Sequence, residues 1–295
     1  MPTTRRHDGI VVGVDGSPPS KAAVEWAARE AGMRNLGVSI IHVIQSPAVQ
    51  MWPEVPTPPD LTRQLEQEGQ VILRDAREIA QAAVKDAPVG VETEMVVAGV
   101  LSTLIDVSKE AKMVVVGCRG LGVLGRRLLG SVSAGLIRYA GCPVAVIHDE
   151  DAPTPQLATA PVVVGIDGSP ASELATAIAF DAASHRGVHL VAVHAWSDFG
   201  VAELPGIEWS DVQVQAEEAL AERLAGWQER YPDVTVERLV VLDRPARQLL
   251  AQAEKAQLTV VGSHGRGGFA RMLLGSVSTA VAESARTPVV VARAS

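Results

Sequence analysis

Two glycine-rich stretches of the chain share a spacing that could hold a phosphate group. GCRGLGVLGRRLLGS occupies residues 117–131, and GSHGRGGFARMLLGS occupies residues 262–276. Both run as a glycine, two residues, a glycine, nine residues and then Gly-Ser. Glycines let backbone N–H groups approach an anion closely, and the first amides of a helix attract negative charge. The spacing therefore predicts two anion-binding loops, each leading into a helix.

The predicted binding residues of these loops are glycines, the serines that follow them, and one basic or imidazole side chain in each copy. They are Gly117, Arg119, Gly120, Gly130, Ser131 and Ser133 in the first copy, and Gly262, His264, Gly265, Gly275, Ser276 and Ser278 in the second. Gly117 and Gly120 are expected to take positive φ and to expose successive amides, while the serines add hydroxyl donors. A valine at Gly117 and Gly262 is expected to occupy the place of the phosphate without unfolding the chain.

The glycine loops belong to a longer repeat. IVVGVDGSP at residues 10–18 recurs as VVVGIDGSP at 162–170, and MVVVGCRG at 113–120 recurs as LTVVGSHG at 258–265. Between the copies, DEDAPTPQLATAP at 149–161 is acidic and rich in proline, which is typical of a linker. The sequence predicts one domain at 1–148 and another at 162–295.

Short apolar runs alternate with longer helical patterns in each copy, as in parallel strands covered on both faces. The first copy predicts strands at 10–15, 37–44, 91–97, 112–117 and 143–148, and helices at 18–34, 60–86, 101–111 and 131–141. Ser17 and Ser169 are predicted N-caps, each followed by a proline. The predicted fold is α/β: two tandem, doubly wound, Rossmann-like domains, each with a five-stranded parallel sheet and helices on both faces.

The fifth predicted strand of each copy, CPVAVI at 142–147 and TPVVVA at 287–292, is apolar and carries no charge. An edge strand of this kind tends to pair with another strand. We expect the two halves of one chain to pair through these edges. A homodimer of the whole chain is a further expectation.

Asp15 and Asp167 end the first predicted strand of each copy. In an open parallel sheet, ligands lie beyond the carboxyl ends of the strands, where the glycine loops also begin. A carboxylate there could accept hydrogen bonds from ribose hydroxyls or hold a metal ion beside phosphates. It could equally just shape the turn before the next helix. The doubling of both features favours ligand contact.

Composition and motifs exclude several classes of function. The net charge is −8, which argues against a general nucleic-acid binder. Two cysteines cannot form a disulfide framework, and no apolar stretch approaches the length of a membrane span, so we expect a cytoplasmic protein. Neither loop contains a lysine, so the usual NTPase phosphate loop is missing, as is the dinucleotide fingerprint of the first strand–helix turn.

Other residues have ordinary structural interpretations. His42 and His194 lie in apolar strands and are predicted to be packed and hydrogen-bonded, and Cys118 is predicted to be a small loop filler. No histidine or cysteine shows metal-ligand spacing, and the tryptophans are mostly predicted to pack. The loop arginines could bracket phosphates or be solvated; these are Arg126, Arg127, Arg266 and Arg271. The segments 46–60 and 197–211 could cover the sites or only the surface.

With these motifs, both halves resemble the universal stress protein family in its tandem form. The resemblance covers nearly the whole chain, and the ATP-binding pattern G-2x-G-9x-G-[S/T] is complete in both copies. It implies the strand order 3-2-1-4-5, as in adenine nucleotide α-hydrolase-like folds, and bound ATP. It implies that Asp15 and Asp167 contact ribose, that Val43 and Ala195 read adenine through their backbones, and that Val116 and Val261 flank the nucleoside. The neighbours Val14, Val132, Ile166 and Val277 complete the predicted site.

The expected function is a non-catalytic, ATP-dependent regulator of stress response or growth, with one ATP in each domain. The need for Mg²⁺ and the regulated protein partner stay open. A slow ATPase or a nucleotidyl- or phosphoryl-transfer enzyme is the alternative, although no base is positioned to activate water and the loops lack lysine. A flavin-binding or purely structural dimer is the third possibility.

Overall fold

The computed structural model describes residues 7–45, 59–84, 87–119, 129–148, 159–195, 209–241, 244–265 and 274–293. The chain divides into two compact units between Asp149 and Glu150. We call the described residues up to 148 unit one and those from 159 onward unit two. Most of the predicted linker, residues 149–158, lies outside the described residues.

Unit one alternates strands and helices along the chain. Its elements are β1 (Ile10–Val14), α1 (Pro18–Arg34), β2 (Val38–Ile44), α2 (Pro59–Ala83), β3 (Val91–Val97), α3 (Val100–Val107), β4 (Met113–Gly117), α4 (Ser131–Tyr139) and β5 (Val144–Ile147). In its sheet, β1 lies between β2 and β4, β3 flanks β2, and β5 flanks β4. Every one of these pairings is parallel, which gives the order 3-2-1-4-5.

Unit two repeats this arrangement. Its elements are β6 (Val162–Gly165), α5 (Pro170–Arg186), β7 (Leu190–Ala195), α6 (Trp209–Arg230), β8 (Val236–Val241), α7 (Pro245–Ala253), β9 (Leu258–Gly262), α8 (Ser276–Ser284) and β10 (Val289–Ala292). Its parallel pairings place β6 between β7 and β9, with β8 beside β7 and β10 beside β9. The predicted doubly wound α/β fold and its strand order are confirmed.

The central strands are apolar on both faces because helices cover the sheet. Val11, Val12, Val114 and Val115 are completely buried in unit one. On α1, the alanines at successive turns are also completely buried, namely Ala23, Ala27 and Ala31. Such small side chains let the helix lie close to the strands.

The helix starts follow the predicted capping. Ser17 and Ser169 have extended backbones, and their hydroxyl oxygens accept hydrogen bonds from the amides of Ser20 and Ser172. A proline follows each cap. At the other end of the first helix, Asn35 takes a left-handed conformation with φ of 52° and closes the last turn.

Three helices end earlier than predicted, and the helix expected at 60–86 ends at Ala83. The helix expected at 101–111 ends at Val107, where the Ser108 hydroxyl donates to the Ile105 carbonyl and accepts from the Gly141 amide. The helix expected at 131–141 ends at Tyr139, because Ala140 is already extended at ψ 149°. The Ser108–Gly141 hydrogen bond joins segments far apart in sequence, so local patterns could not predict it.

Candidate functional site

A cleft of about 440 Å³ opens at the carboxyl ends of β1, β2 and β4 in unit one. One part of its lining is apolar and is formed by Ile41, Val43, Val100, Leu104 and Val116. The other part is polar and is formed by Asp15, Ser20, Arg119, Ser131 and Ser133. A ligand with a flat apolar portion and an anionic tail would match this division.

Almost all predicted site residues of the first copy meet at this cleft. Its lining includes Val14, Asp15, Val43, Val116, Gly117, Arg119, Gly130, Ser131, Val132 and Ser133. Gly120 lies outside the described residues. Their role as ligand contacts stays a prediction, but the fold does bring them together.

The corresponding residues of the second copy lie at the same end of its sheet. Ile166 and Asp167 follow β6, Ala195 ends β7, and Gly262 ends β9 after Val261. His264 and Gly265 follow Gly262, while Gly275 precedes α8, which contains Ser276, Val277 and Ser278.

The cleft also has lining residues that the sequence analysis missed. They are Gly13, Ser20, Ile41, Gln45, Val100 and Leu104. One signal was available, because Gly13 lies in the repeated stretch IVVGVDGSP and recurs in the second copy as Gly165. A Cβ built on Gly13 would lie 2.9 Å from Leu104 Cδ1, and one built on Gly165 would lie 3.0 Å from Leu249 Cδ1. The repeat therefore preserves this wall of the site as well as the loops.

Asp15 and Asp167 shape the turn that follows their strand. Asp15 Oδ1 accepts hydrogen bonds from the Ser17 amide at 3.0 Å and the Ser17 hydroxyl at 2.5 Å. Asp167 Oδ1 accepts from the Ser169 amide at 2.9 Å. Each carboxylate also has a second oxygen, and Asp15 lines the cleft. The two interpretations of these aspartates are therefore compatible.

Gly16 and Gly168 make these turns possible. Their φ angles are 83° and 79°, a region that favours glycine. The described glycines with positive φ are these two and Gly187, so the prediction of positive φ at Gly117 is wrong. The positive φ is needed instead in the turn after the first strand of each unit, at the glycine that follows the aspartate.

The predicted reason for Gly117 and Gly262 is also wrong. A Cβ built on Gly117 would lie 2.8 Å from the carbonyl carbon of Pro19, and one built on Gly262 would lie 2.8 Å from that of Ala171. These glycines let the first helix of each unit pass close to the strand. A valine there would collide with this helix backbone, so the expected retention of the fold does not follow.

Gly130 and Gly275 differ from Gly117 and Gly262, because a Cβ built on either would approach no described atom more closely than 3.3 Å. Gly130 is the N-cap of α4 with φ of −65°, which any residue can adopt. A Cβ built on it would lie 3.5 Å or more from its nearest neighbours, among them Arg119 Cα and the Cys118 carbonyl oxygen. At Gly275 the nearest atom would be Ser278 Oγ at 3.3 Å. Among the described residues, a Cβ at Gly130 would therefore make ordinary contacts without a clash, and Gly130 lines the cleft beside Arg119.

The start of α4 is suited to an anion. Gly130 provides no side-chain cap, so the first amides of the helix receive no capping hydrogen bond from it. Ser131 is the first helical residue and is exposed, as is Ser276 in unit two. Arg119 adds a cationic side chain to the same cleft. The helix dipole, the serine hydroxyl and the guanidinium all favour negative charge here.

Ser133 and Ser278 hold the loop instead of donating to a ligand. The Ser133 hydroxyl is buried and donates toward the carbonyls of Cys118 and Gly130, both at 3.0 Å. The Ser278 hydroxyl donates to the Gly262 carbonyl at 2.6 Å. Since a hydroxyl has one proton, the prediction that these serines are hydroxyl donors to the ligand is wrong.

His42 and His194 are packed and hydrogen-bonded, as predicted. Their Nδ1 atoms lie 2.8 Å from the Val14 carbonyl oxygen and 2.7 Å from that of Ile166. These contacts join β2 to β1 and β7 to β6 directly before the aspartates. The histidines therefore fix the position of the turn.

Both cysteines are buried, and neither forms a disulfide. Cys118 is 2% exposed within the loop, in agreement with a filler. Burial raises the pKa of the Cys142 thiol to about 12, against a smaller opposing effect of a hydrogen bond with the Val114 backbone. In unit two, burial lowers the pKa of Arg293, which directly follows β10.

Some predicted features fall outside the described part of the chain. They are Arg126, Arg127, Arg266 and Arg271, Trp52 and Trp196, and nearly all of the segments 46–60 and 197–211. Of the described tryptophans, Trp227 packs against Phe180 with ring centroids 6.0 Å apart. Within the described ranges, no acidic, histidine or cysteine side chains cluster in a group able to hold a metal ion, and no helix has the length and apolar character needed to cross a membrane.

The fold defines a class of protein: two tandem Rossmann-like units, the first of which has a cleft at the carboxyl ends of its strands. The model of the universal stress protein family matches residues 7–148 and again residues 159–293. The chain belongs to the universal stress protein family.

Relatives match over the full tandem length. A universal stress protein of Mycobacterium tuberculosis strain H37Rv is 56% identical over 288 residues, with 97% of both chains covered. A second one from the same strain is 56% identical over 296 residues, with 100% of both chains covered. The crystal structure of a universal stress protein from Archaeoglobus fulgidus covers 99% of this chain and all of its own, with a TM-score of 0.71 at 20% identity. This last likeness supports the fold.

Proposed function

We propose that the protein is an ATP-binding regulator that holds one ATP in each unit. The observation that carries this proposal is the pair of helix starts at Gly130 and Gly275. Neither the backbone conformation nor packing against the described residues requires a glycine at Gly130, yet both copies have one. A close ligand oxygen would require it, because a Cβ would fill the space that the phosphate enters.

The rest of the cleft is suited to the nucleoside. The apolar walls from β2, α3 and β4 would enclose adenine, with Val43 at the end of β2 and Leu104 opposite. Asp15 would accept hydrogen bonds from the ribose hydroxyls, since it lines the cleft. A volume of about 440 Å³ lies in the usual range for pockets of small ligands. The triphosphate would then extend toward Arg119 and Ser131.

Regulation fits these residues better than catalysis. Phosphoryl transfer usually needs a positioned base and a cation on the transferring phosphate. Both strand histidines have Nδ1 at a backbone carbonyl, and neither glycine loop contains a lysine. A regulator instead needs a difference in ligand affinity between its conformations. The sites would convert the ATP level into a change in conformation or partner binding.

The test compares the full-length chain with Gly130→Ala, Gly275→Ala and the double variant by isothermal titration calorimetry. We expect two ATP molecules bound per chain, about one in each single variant, and binding weakened at least about tenfold at the substituted site. Alanine at an N-cap costs a helix about 1 kcal/mol or less, so the fold should persist. Adenosine serves as a second ligand, because the added methyl group should affect the phosphates most.

Circular dichroism and thermal unfolding provide the controls for these variants. Unchanged ATP affinity in a folded double variant would contradict the assignment of the phosphate position. No ATP binding by the parent chain would contradict the proposed function as a whole. Steady multiple turnovers of ATP per second would replace the regulator with an enzyme.

A further inference from the structure

The N-cap serines of α1 and α5 are equivalent in backbone and position. Ser17 has φ and ψ of −66° and 156°, and Ser169 has −76° and 158°. They are 2% and 7% exposed. Each hydroxyl oxygen accepts from the amide three residues later, at 3.4 Å from Ser20 and 3.2 Å from Ser172. The two serines therefore cap their helices in the same way.

Their hydroxyl protons nevertheless go to different acceptors. The Ser17 hydroxyl donates to Asp15 Oδ1 at 2.5 Å, within its own turn. The Ser169 hydroxyl donates to the carbonyl oxygen of His264 at 3.1 Å, in the glycine loop. A hydroxyl has one proton to donate, so these two arrangements exclude each other. In unit two the serine therefore joins the aspartate turn to the loop.

This hydrogen bond fixes one peptide of the loop. In a planar trans peptide, the carbonyl and the following N–H point in opposite directions. When Ser169 holds the His264 carbonyl, it also sets the direction of the Gly265 amide. The residue before is held as well, because the Ser263 amide donates to the Ala292 carbonyl at 3.0 Å and its carbonyl accepts from Gly275 at 2.8 Å. Ser169 thus extends an ordered backbone by one more peptide.

Gly265 lies where this orientation matters. A Cβ built on Gly265 would lie 2.6 Å from Asp167 Oδ2, so the loop passes directly beside the aspartate. The His264 ring is also held, with Nδ1 3.0 Å from the Ser263 hydroxyl. A backbone amide at this point, held in one direction, is a donor for an anionic ligand oxygen.

We propose that Ser169 is a positioning residue for the second site, which orients the Gly265 amide toward a phosphate oxygen of the ligand. The inference rests on the proposed ATP binding. This role would make the two sites unequal, because the Ser17 hydroxyl donates its proton to Asp15 and not to the glycine loop. Phosphate affinity at the second site should depend on the cap serine, and phosphate affinity at the first site should not.

The experiment measures each site alone in the full-length chain. Gly130→Ala leaves the second site to be titrated, and Gly275→Ala leaves the first. Adding Ser169→Gly to the former removes the donor while glycine remains an acceptable N-cap. We expect ATP affinity to fall about three- to tenfold, as for loss of one hydrogen bond, with adenosine affinity changed less than about twofold. Ser169→Thr, which keeps the hydroxyl, should retain ATP affinity.

Ser17→Gly in the Gly275→Ala chain is the matched control. It removes the same kind of cap from the equivalent helix, and ATP affinity at the first site should change less than about twofold. Ser169→Ala serves as a second non-donating variant if Ser169→Gly does not fold. Equal effects of Ser169→Gly and Ser17→Gly, or equal losses for ATP and adenosine, would overturn the positioning role. If both single-glycine chains fail to bind ATP, the proposed function fails first.

Discussion

Thr259 is a buried polar residue whose place in the other copy is taken by an apolar one. It lies in β9 between Val163 of β6 and Val289 of β10 and is completely buried. Its hydroxyl has no hydrogen-bond partner among the described residues. Val114 occupies the equivalent position in β4, between Val11 and Val144. A buried hydroxyl without a partner costs free energy that valine avoids.

We therefore expect Thr259→Val to raise the free energy of unfolding by about 1 to 2 kcal/mol. Urea denaturation of the full-length chain would measure it as a higher midpoint with an unchanged slope. The reverse change at the matched position, Val114→Thr, should lower stability by a similar amount. A loss of stability in Thr259→Val would show that the hydroxyl has a partner in solution.

Cys142 should be unreactive in the folded protein. Burial raises the pKa of its thiol from 9.0 to about 12, so almost no thiolate exists at pH 8. Iodoacetamide at pH 8 should modify Cys142 only after unfolding, as peptide mapping would show. The raised pKa also stabilises the fold below pH 9, and this contribution should disappear as the pH rises from about 9 to 12. Rapid modification of the folded chain would contradict this.

The residue types of the site could be predicted, but their individual tasks could not. Gly117 and Gly130 belong to one motif and have the same side chain. Gly117 is required because a side chain there would collide with the backbone of α1, whereas Gly130 lines the cleft without such a collision. The difference depends on where a Cβ would point, which the sequence does not contain. The same holds for Ser131 and Ser133, of which only the buried one donates to the loop carbonyls.

At the scale of elements, the contact between α1 and β4 sets the shape of the cleft floor. Gly117 ends β4, and the backbone of Pro19 passes close to it. We expect Gly117→Ala to lower the free energy of unfolding by about 1 to 3 kcal/mol, because the helix must shift away from the strand. Thermal or urea unfolding without ligand would measure this.

Gly130→Ala is the matched comparison for that variant, because its Cβ would meet no described neighbour closer than 3.5 Å. It should change ligand-free stability by about 1 kcal/mol or less. Equal stability losses in the two variants would contradict the separate roles of these glycines.

The order and type of the elements followed from the alternation of apolar runs and helical patterns. The N-caps were predictable because Ser-Pro is a local signal, and it is present in both copies. The end of α3 was not, because Ser108 bonds to Gly141 across 33 positions of the chain. Local sequence patterns therefore predict the start of a helix well, but they do not predict an end that depends on a long-range contact.

At the scale of the whole molecule, the predicted pairing of the fifth strands is open to a direct test. The amides of Cys118 and Ser263 donate to the carbonyls of Ile147 and Ala292. These bonds determine which amides of β5 and β10 point toward the neighbouring strand and which point away. The amides of Val144, Val146, Val289 and Val291 therefore point away from β4 and β9. If the strands have second partners, these four amides should exchange with deuterium as slowly as those of Ala145 and Val290.

Hydrogen exchange followed by NMR would resolve these amides. Protection that is independent of protein concentration would support pairing within one chain, whereas protection that grows with concentration would support the homodimer. Fast exchange at all four, with slow exchange at Ala145 and Val290, would contradict both predictions.

The turn that each aspartate closes has a consequence for interpreting other sequences of this kind. One oxygen of Asp15 or Asp167 closes a turn, so a lineage that abandoned its nucleotide would still be under selection to keep the acid. Among the described residues, no close contact requires the glycine before α4 in that way. In a distant relative, replacement of this glycine would therefore indicate loss of ligand binding earlier and more reliably than replacement of the aspartate.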